Sequence, residues 1–325
     1  MKIVREEFEN ISLVKRNYID QFIVENNGLI FHETSFLNIV SKIFKSKLFY
    51  FILHYNSKIM AVCPIISVKN RFVNNLYSGP GIYEVPYGGW VLNNNKLDIL
   101  ELYKNMTVKF NENLLIKSNV QVYDDLNWAN KIYINKLYTG IIDLTNDENI
   151  IWQKAINSKR RNMIKKALKS NIIIKKYGEE GLELFYTMFI DMHKKTSREK
   201  NLKPLMYYKD ILKQYSSKKQ TFILIAERNK EILSGIFLLG NKNMMHYWQG
   251  ASKLGVSNLG QGELLQWEAI KLAKKLGCKY YDLCVIEENR LPNIAKFKKG
   301  FTEKIVPYYL FNKKNIIYRV INRLQ

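Results

Sequence analysis

The spacing of apolar positions along the chain switches between two periods. SFLNIVSKI at 35–43 places its apolar residues three and four apart, the spacing of one helix face. LFYFILHY at 48–55 and IMAVCPIISV at 59–68 are apolar runs of strand length divided by the turn residues NSK, which predicts a hairpin. SGPGIYEVPYGGW at 78–90 is broken by glycine and proline and predicts loops. KLDILELYKNMTVKFNENL at 96–114 has amphipathic helical spacing, while VQVYD at 120–124 and TGIIDL at 139–144 read as strands.

The second half is more regular. DLTNDENIIWQKAINSKRRNMIKKALK at 143–169 predicts a helix capped by Thr145 or Asn146, with acidic residues in its first turn. Met163, Ile164, Ala167 and Leu168 form its apolar face, and Arg160, Arg161, Lys165, Lys166 and Lys169 crowd the others. Then follow a strand NIIIKKY, helical stretches at 180–195 and 206–216, and strands FILIAE, ILSGIFLLG and MMHYWQGAS. A glycine-bearing loop, VSNLGQGE, runs into the helix ELLQWEAIKLAKKLG, which stops at Gly277 before the strand KYYDLCVI. A short helix in LPNIAKFKKG and the strands KIVPYYLF and NIIYRVI close the chain. This order predicts an α/β fold with a mixed sheet, and the first half reads as a degraded copy of the second. The expected domains are 1–147 and 148–305. Two such sheets in tandem would place a cleft between them.

Composition changes the picture in one respect. With 325 residues, 47% hydrophobic, the chain can fill two ordinary cores. The net charge of +22 is unevenly spread: residues 1–147 carry 16 basic and 14 acidic groups, and 148–325 carry 35 and 15. A half at +20 points to a polyanionic partner such as RNA, a nucleotide-linked substrate or a membrane surface. SKRRNMIKKALKSNIIIKK at 158–176 alone holds eight basic residues and no acidic one. Three cysteines without C-x-x-C spacing and four scattered histidines predict neither a disulfide framework nor a metal site. The mixed-charge start and the lack of 18 uninterrupted apolar residues lead us to expect a cytoplasmic protein without stable membrane insertion.

Taken in order, RRNMIKKALK after a strand ending IIDL, GIFLLG before HYWQGAS, LLQWEAIKLAKKLGCKYYDL and the late FKKGF resemble the FemABX acyltransferases. The resemblance covers nearly the whole chain and is strongest from about 140 to 302. It implies two tandem GNAT-like domains, with 306–325 returning to the first, and transfer of an amino acid from aminoacyl-tRNA to an amine of a nucleotide- or lipid-linked cell-wall or glycan precursor. No cofactor is expected beyond the co-substrate. The wider superfamily also uses acyl-CoA, so an acyl-CoA-dependent N-acyltransferase acting on an amino sugar or another small amine is the alternative. One departure concerns the acceptor. Where many peptidoglycan-modifying members read W-x-x-V-K, this chain has Phe36-Leu37-Asn38-Ile39-Val40, with valine at the lysine position and Lys42 two residues on.

Acyl transfer to an amine needs orientation, one proton transfer and a stabilised oxyanion, not a protein nucleophile. By resemblance, Lys298 of the F-K pair supplies the cation and Phe297 lines the substrate site. The plainer reading makes Lys296, Lys298 and Lys299 one solvated helix face. Asp282 is a candidate base or orienting carboxylate, set against a capping role. Arg198 matches a position that holds acceptor phosphates, and otherwise is an exposed loop arginine. Tyr247 on its strand would orient the acceptor, or simply fill the core. Arg161 and Lys165 are the expected donor contacts. Gly260 and Gly262 form half of a Q/R-x-x-G-x-G/A pyrophosphate loop, with Ser257 where Gln or Arg would stand; a plain turn explains them equally well.

Overall fold

A computed structural model describes residues 2–69, 74–93, 97, 101–103, 105–106, 112–120, 134–196, 198 and 202–313. The chain forms two compact units, Met1–Leu137 with Pro307–Gln325, and Tyr138–Val306. Strand β7 (Ile134–Asp143) carries the chain out of the first unit and β13 (Ile305–Lys313) carries it back.

In the first unit the strands run β1 (Lys2–Glu7), β2 (Lys47–Tyr55), β3 (Lys58–Lys69), β4 (Asn74–Ser78), β6 (Asn113–Lys117), β13, with the short β5 (Val91–Leu92) on β3. All neighbours are antiparallel except β4 and β6. The predicted hairpin is β2–β3, and its apolar runs are continuous because both faces of β2 are covered. Phe49, Phe51 and Leu53 join one core with Ala61, Cys63 and Ile65, and Tyr50 on the other face donates to the carbonyl of buried His32. Helices α1 (Leu13–Glu25) and α2 (Thr34–Ile43) precede the hairpin. The helix expected over 96–114 ends earlier, since 113 and 114 already belong to β6. Much of that segment, most of VQVYD and all of NIIYRVI lie outside the described residues.

The second unit has the order β7, β12 (Tyr280–Ile286), β11 (Met244–Ser252), β10 (Glu231–Gly240), β9 (Thr221–Arg228), β8 (Ile173–Tyr177). β11 and β12 are parallel and the rest antiparallel, the mixed sheet expected from the sequence. Helices α3 (Ser158–Lys169) and α6 (Gln261–Lys275) pack on one face, against Leu224, Ala226, Ile236, Leu238, Met245 and Tyr281. Helices α4 (Glu179–Lys195) and α5 (Leu205–Tyr215) serve the other, where Phe185, Tyr208, Phe237 and Trp248 meet ring to ring. Alternation along β9 and β10 assigns these residues to opposite faces, as a period of two requires.

The segment 143–169 differs from its expectation. It is not one helix: a turn at Glu148–Ile150 runs into a wider π turn, Ile151–Ala155, and stops before α3 begins. Asn157 caps α3 by accepting from the N–H of Arg160, whereas Thr145 is folded back onto Asp143. The buried face of α3 is Arg160, Ile164 and Ala167, and Leu168 stays exposed.

Candidate active site

β11 and β12 pair in register only through Met244–Tyr280, Met245–Tyr281 and His246–Asp282, after which the two strands carry no further pairs. β11 also bulges on its β10 side: Phe237 pairs Gln249 and Leu238 pairs Tyr247, leaving Trp248 as the extra residue.

Helix α7 (Pro292–Lys299) packs beside β12 and delivers Lys298 there. Its three lysines are not one solvated face. Lys296 and Lys299 are exposed, whereas Lys298 is only 8% exposed, with its ammonium donating to the Val285 carbonyl at 2.9 Å and lying 5.5 Å from the centre of the Tyr247 ring. Burial pushes the Lys298 amine below its ordinary value, against the pull of Cys284, Asp282 and Glu287. Burial likewise pushes the Tyr247 phenol up to about 12. Gly250 sits against that phenol, since a Cβ there would lie 2.1 Å from its oxygen.

Asp282 is fully buried and collects hydrogen bonds from three sources. His246 Nδ1 lies 2.7 Å from Oδ2, Thr139 Oγ1 donates to Oδ1 at 2.5 Å, and the Cys284 N–H donates to Oδ1 at 2.9 Å. Desolvation raises its pKa, but the His246 hydrogen bond and charge, with Thr139 and Cys284, outweigh it and hold the carboxyl below the usual range. The side chains of His246, Asp282 and Cys284 bring potential ligand atoms within 4.8 Å of one another, yet both carboxylate oxygens are already engaged by protein donors. The group is built as a hydrogen-bonded network. Nothing in the sequence spacing links Thr139, His246 and Cys284 to Asp282; the signal was a lone histidine and a lone aspartate at matching places on two neighbouring strands.

The glycine loop before α6 has its own internal chemistry. Gln261 Oε1 accepts from the Leu259 N–H, Asn258 Oδ1 accepts from the Gly260 N–H, and Gln261 Nε2 donates to the Ser257 carbonyl. Gly260 stands at φ +90°, and a Cβ there would lie 2.1 Å from the Met163 carbonyl oxygen of α3. Close helix approach therefore requires this glycine. Gly262 faces Phe297 across ordinary contact distance. In the first turn of α6, Glu263 is buried in an ion pair with Arg160 at 2.7 Å. Arg160 also donates to the Lys296 carbonyl and lies under the Phe297 ring, so it ties α3, α6 and α7 together.

The other residues singled out in the sequence are dispersed. Phe297 packs on Phe301. Arg161 donates to the carbonyls of Trp152, Gln153 and Ile156, closing the π turn. Lys165 is exposed on α3. Arg198 is part-exposed beyond α4, donating its Nε to Thr196 Oγ1 at 2.9 Å.

Residues 157–299 match the family described as acetyltransferase (GNAT) domain. The sheet order, the parting strands and this match define the class: the second unit is a GNAT-type acyltransferase domain. Over the whole chain the fold is that of tandem GNAT-like proteins. A crystal structure of FemX superposes with a TM-score of 0.73 at 12% identity, covering 99% of this chain and all of the other. The C-terminal domain of an assigned lysylphosphatidylglycerol synthetase from Agrobacterium fabrum gives 0.59 at 11%, covering 96% of each. A tandem GNAT protein from the clavulanic acid biosynthesis pathway gives 0.51 at 8%, covering 96% of this chain and 98% of that one. A comparison with curated protein sequences finds no match. Among the described residues, no helix is long and apolar enough to cross a membrane.

Proposed function

We propose that the chain is an aminoacyltransferase of the FemABX kind, moving an amino acid from aminoacyl-tRNA to an amine of a peptidoglycan or surface-glycan precursor. The observation that carries this reading is Lys298. It alone among the lysines of α7 is drawn inside, to the place where β11 and β12 part.

The acceptor nitrogen adds to the ester carbonyl of the donor, and the carbonyl oxygen becomes an oxyanion. Collapse of that intermediate breaks the bond to the ribose oxygen, which leaves with the proton lost by the amine. A fixed ammonium in a low-dielectric place favours the oxyanion over the neutral carbonyl, and loss of one such donor typically costs about 10²–10³ in rate. Tyr247, kept neutral by burial, offers its hydroxyl to orient the reacting groups. Arg198 and Phe297 serve the acceptor in this reading, and Arg161 and Lys165 belong to the basic half that meets the donor's phosphates.

The glycine loop supports a donor other than CoA. Ser257 stands where the pyrophosphate motif has Gln or Arg, and the N–H groups of Leu259 and Gly260 are held by the loop's own side chains. Phosphate binding at a helix start needs free donors. The match of residues 157–299 to an acetyltransferase domain favours the second reading, acyl-CoA-dependent N-acylation with Gly260 and Gly262 at the donor.

Binding of purified protein to bulk aminoacyl-tRNA and to acetyl-CoA, each across a salt series, separates the two. Salt-sensitive tRNA binding with CoA ignored, followed by transfer to a muropeptide amine that Lys298→Ala slows by about 10²–10³, is the expected result. Saturable CoA binding without appreciable tRNA binding overturns the donor assignment.

A further inference from the structure

We infer that Asp282 is a positioning residue: through the N–H of Cys284 it holds a left-handed bulge in β12 that turns the Val285 carbonyl onto Lys298. The geometry stands without any assumption about the reaction. Its consequence for catalysis rests on the proposed role of Lys298.

β12 pairs with β7 at Asp282–Ile141 and again at Val285–Thr139. Between those pairs β12 has two residues, Leu283 and Cys284, facing the single Gly140. Cys284 takes up the extra length at φ +55°, a region that L-residues other than asparagine and aspartate rarely enter. Gly140 lets the bulge close, for a Cβ there would lie 2.9 Å from Thr302 Cγ2 and 3.1 Å from Leu283 Cδ1.

One carboxylate holds this turn from three strands. Oδ1 accepts from the Cys284 N–H on β12 and from Thr139 on β7, the residue opposite Val285. Oδ2 meets His246 on β11 and lies 3.5 Å from the Cys284 thiol. Two peptides further along β12, the Val285 carbonyl is presented to the Lys298 ammonium at 2.9 Å. Were the bulge to relax into a regular strand, each following residue would turn by half a period and that carbonyl would point away. Asp282 itself is a poor base. Both of its oxygens are occupied, it is fully buried, and its hydrogen bonds keep it ionised.

The test follows the ε-carbon resonances of ¹³C-labelled lysines through a pH titration, with Lys298→Arg identifying the Lys298 signal. In the wild type that signal titrates below the ordinary lysine range. Asp282→Asn keeps an acceptor for the Cys284 N–H while removing the charge that favours the ammonium, so Lys298 should titrate lower still. Asp282→Ala removes the acceptor; the bulge relaxes, Lys298 leaves its buried place, and its titration moves up toward 10.5. Asp282→Ala with Cys284→Gly should return it to a lowered value, because glycine accepts the left-handed backbone unaided. If Asp282→Ala fails to fold, Cys284→Val decides. A β-branched side chain at this backbone should free Lys298 with the carboxylate intact.

A downward shift in Asp282→Ala, no restoration by Cys284→Gly, or an unmoved Lys298 in Cys284→Val overturns the inference. Transfer assays on the same variants should show kcat falling more than KM changes in Asp282→Ala, with recovery in the glycine double variant. Absence of any transfer by the wild type would defeat the proposed function and leave the titration result standing.

Discussion

Among the described residues of the second unit, Arg160 and Lys298 are both buried at α7, and they are treated in opposite ways. Arg160 is matched by the Glu263 carboxylate at 2.7 Å, by the Lys296 carbonyl and by the face of Phe297. Lys298, two residues beyond Lys296, has the Val285 carbonyl and the Tyr247 ring and, among the described residues, no carboxylate within salt-bridge distance. A buried charge that is matched by a carboxylate serves the packing of three helices. One that is met by a carbonyl and a ring face is expensive to keep, and such a group retains the capacity to meet a negative charge that forms later, in a substrate.

The comparison is broken most directly at Arg160. Removing one member of a buried ion pair leaves the other charge uncompensated, at a cost of about 3–5 kcal/mol. Arg160→Ala should therefore lose that much stability in urea unfolding, and Arg160→Met with Glu263→Leu should recover most of it. If the single variant loses less than about 1 kcal/mol, Arg160 is not the clamp described. Lys298→Met comes next, with an effect on rate in place of stability. Transfer should fall by about 10²–10³, equivalent to about 2.7–4 kcal/mol, while the fold persists. The third is Gly260→Ala, which places a side chain at φ +90° against the Met163 carbonyl; about 1–3 kcal/mol of destabilisation is expected, read as a lower urea midpoint.

Sequence periodicity located most of the second unit because its strands and helices are long and strongly patterned, as in FILIAE, ILSGIFLLG and ELLQWEAIKLAKK. It misread 143–169, since the π turn and the break at Asn157 leave apolar spacing almost unchanged while moving the cap by a full three turns. It also took Arg160 for a surface charge. The partner that draws it inside, Glu263, is 103 residues away, and no local pattern reports such a pairing. For the site, resemblance singled out Lys298, and the end of a strand singled out Asp282 separately. What sequence did not carry is the bulge at Cys284, because a left-handed cysteine in the middle of YYDLCVI has no glycine or asparagine to announce it.

Lys298 also sharpens the contrast through pH. Its folded pKa lies below the ordinary 10.5 because burial disfavours the ammonium. Below the folded pKa the protein carries that cost in full. Between the folded pKa and about 10.5 the unfolded chain still binds a proton that the native chain has released, so this group makes stability rise with pH across that window. Lys298→Met should raise Tm at pH 7, each kcal/mol gained being worth about 2–4 °C for a unit of this size, and should remove that part of the rise. A lower Tm in the variant would mean that the ammonium stabilises the fold as Arg160 does, and the distinction between the two cations would be lost.

The smallest effect concerns the neighbours of Arg160 on α3, where the same contrast recurs on the surface. Arg161 is spent on the carbonyls of the π turn, whereas Lys165 is exposed, with no ion pair among the described residues. If the basic half meets tRNA, Lys165→Glu should leave stability within about 0.5 kcal/mol. It should weaken tRNA binding a few-fold and lower the slope of log affinity against log salt by about one. Arg161→Glu should weaken binding no more than that, yet lose stability as well, because three carbonyls lose their donor. Equal binding losses with unchanged stability in both variants would show that Arg161 leaves its cap to reach the RNA, and the basic face of α3 would then be one surface instead of two.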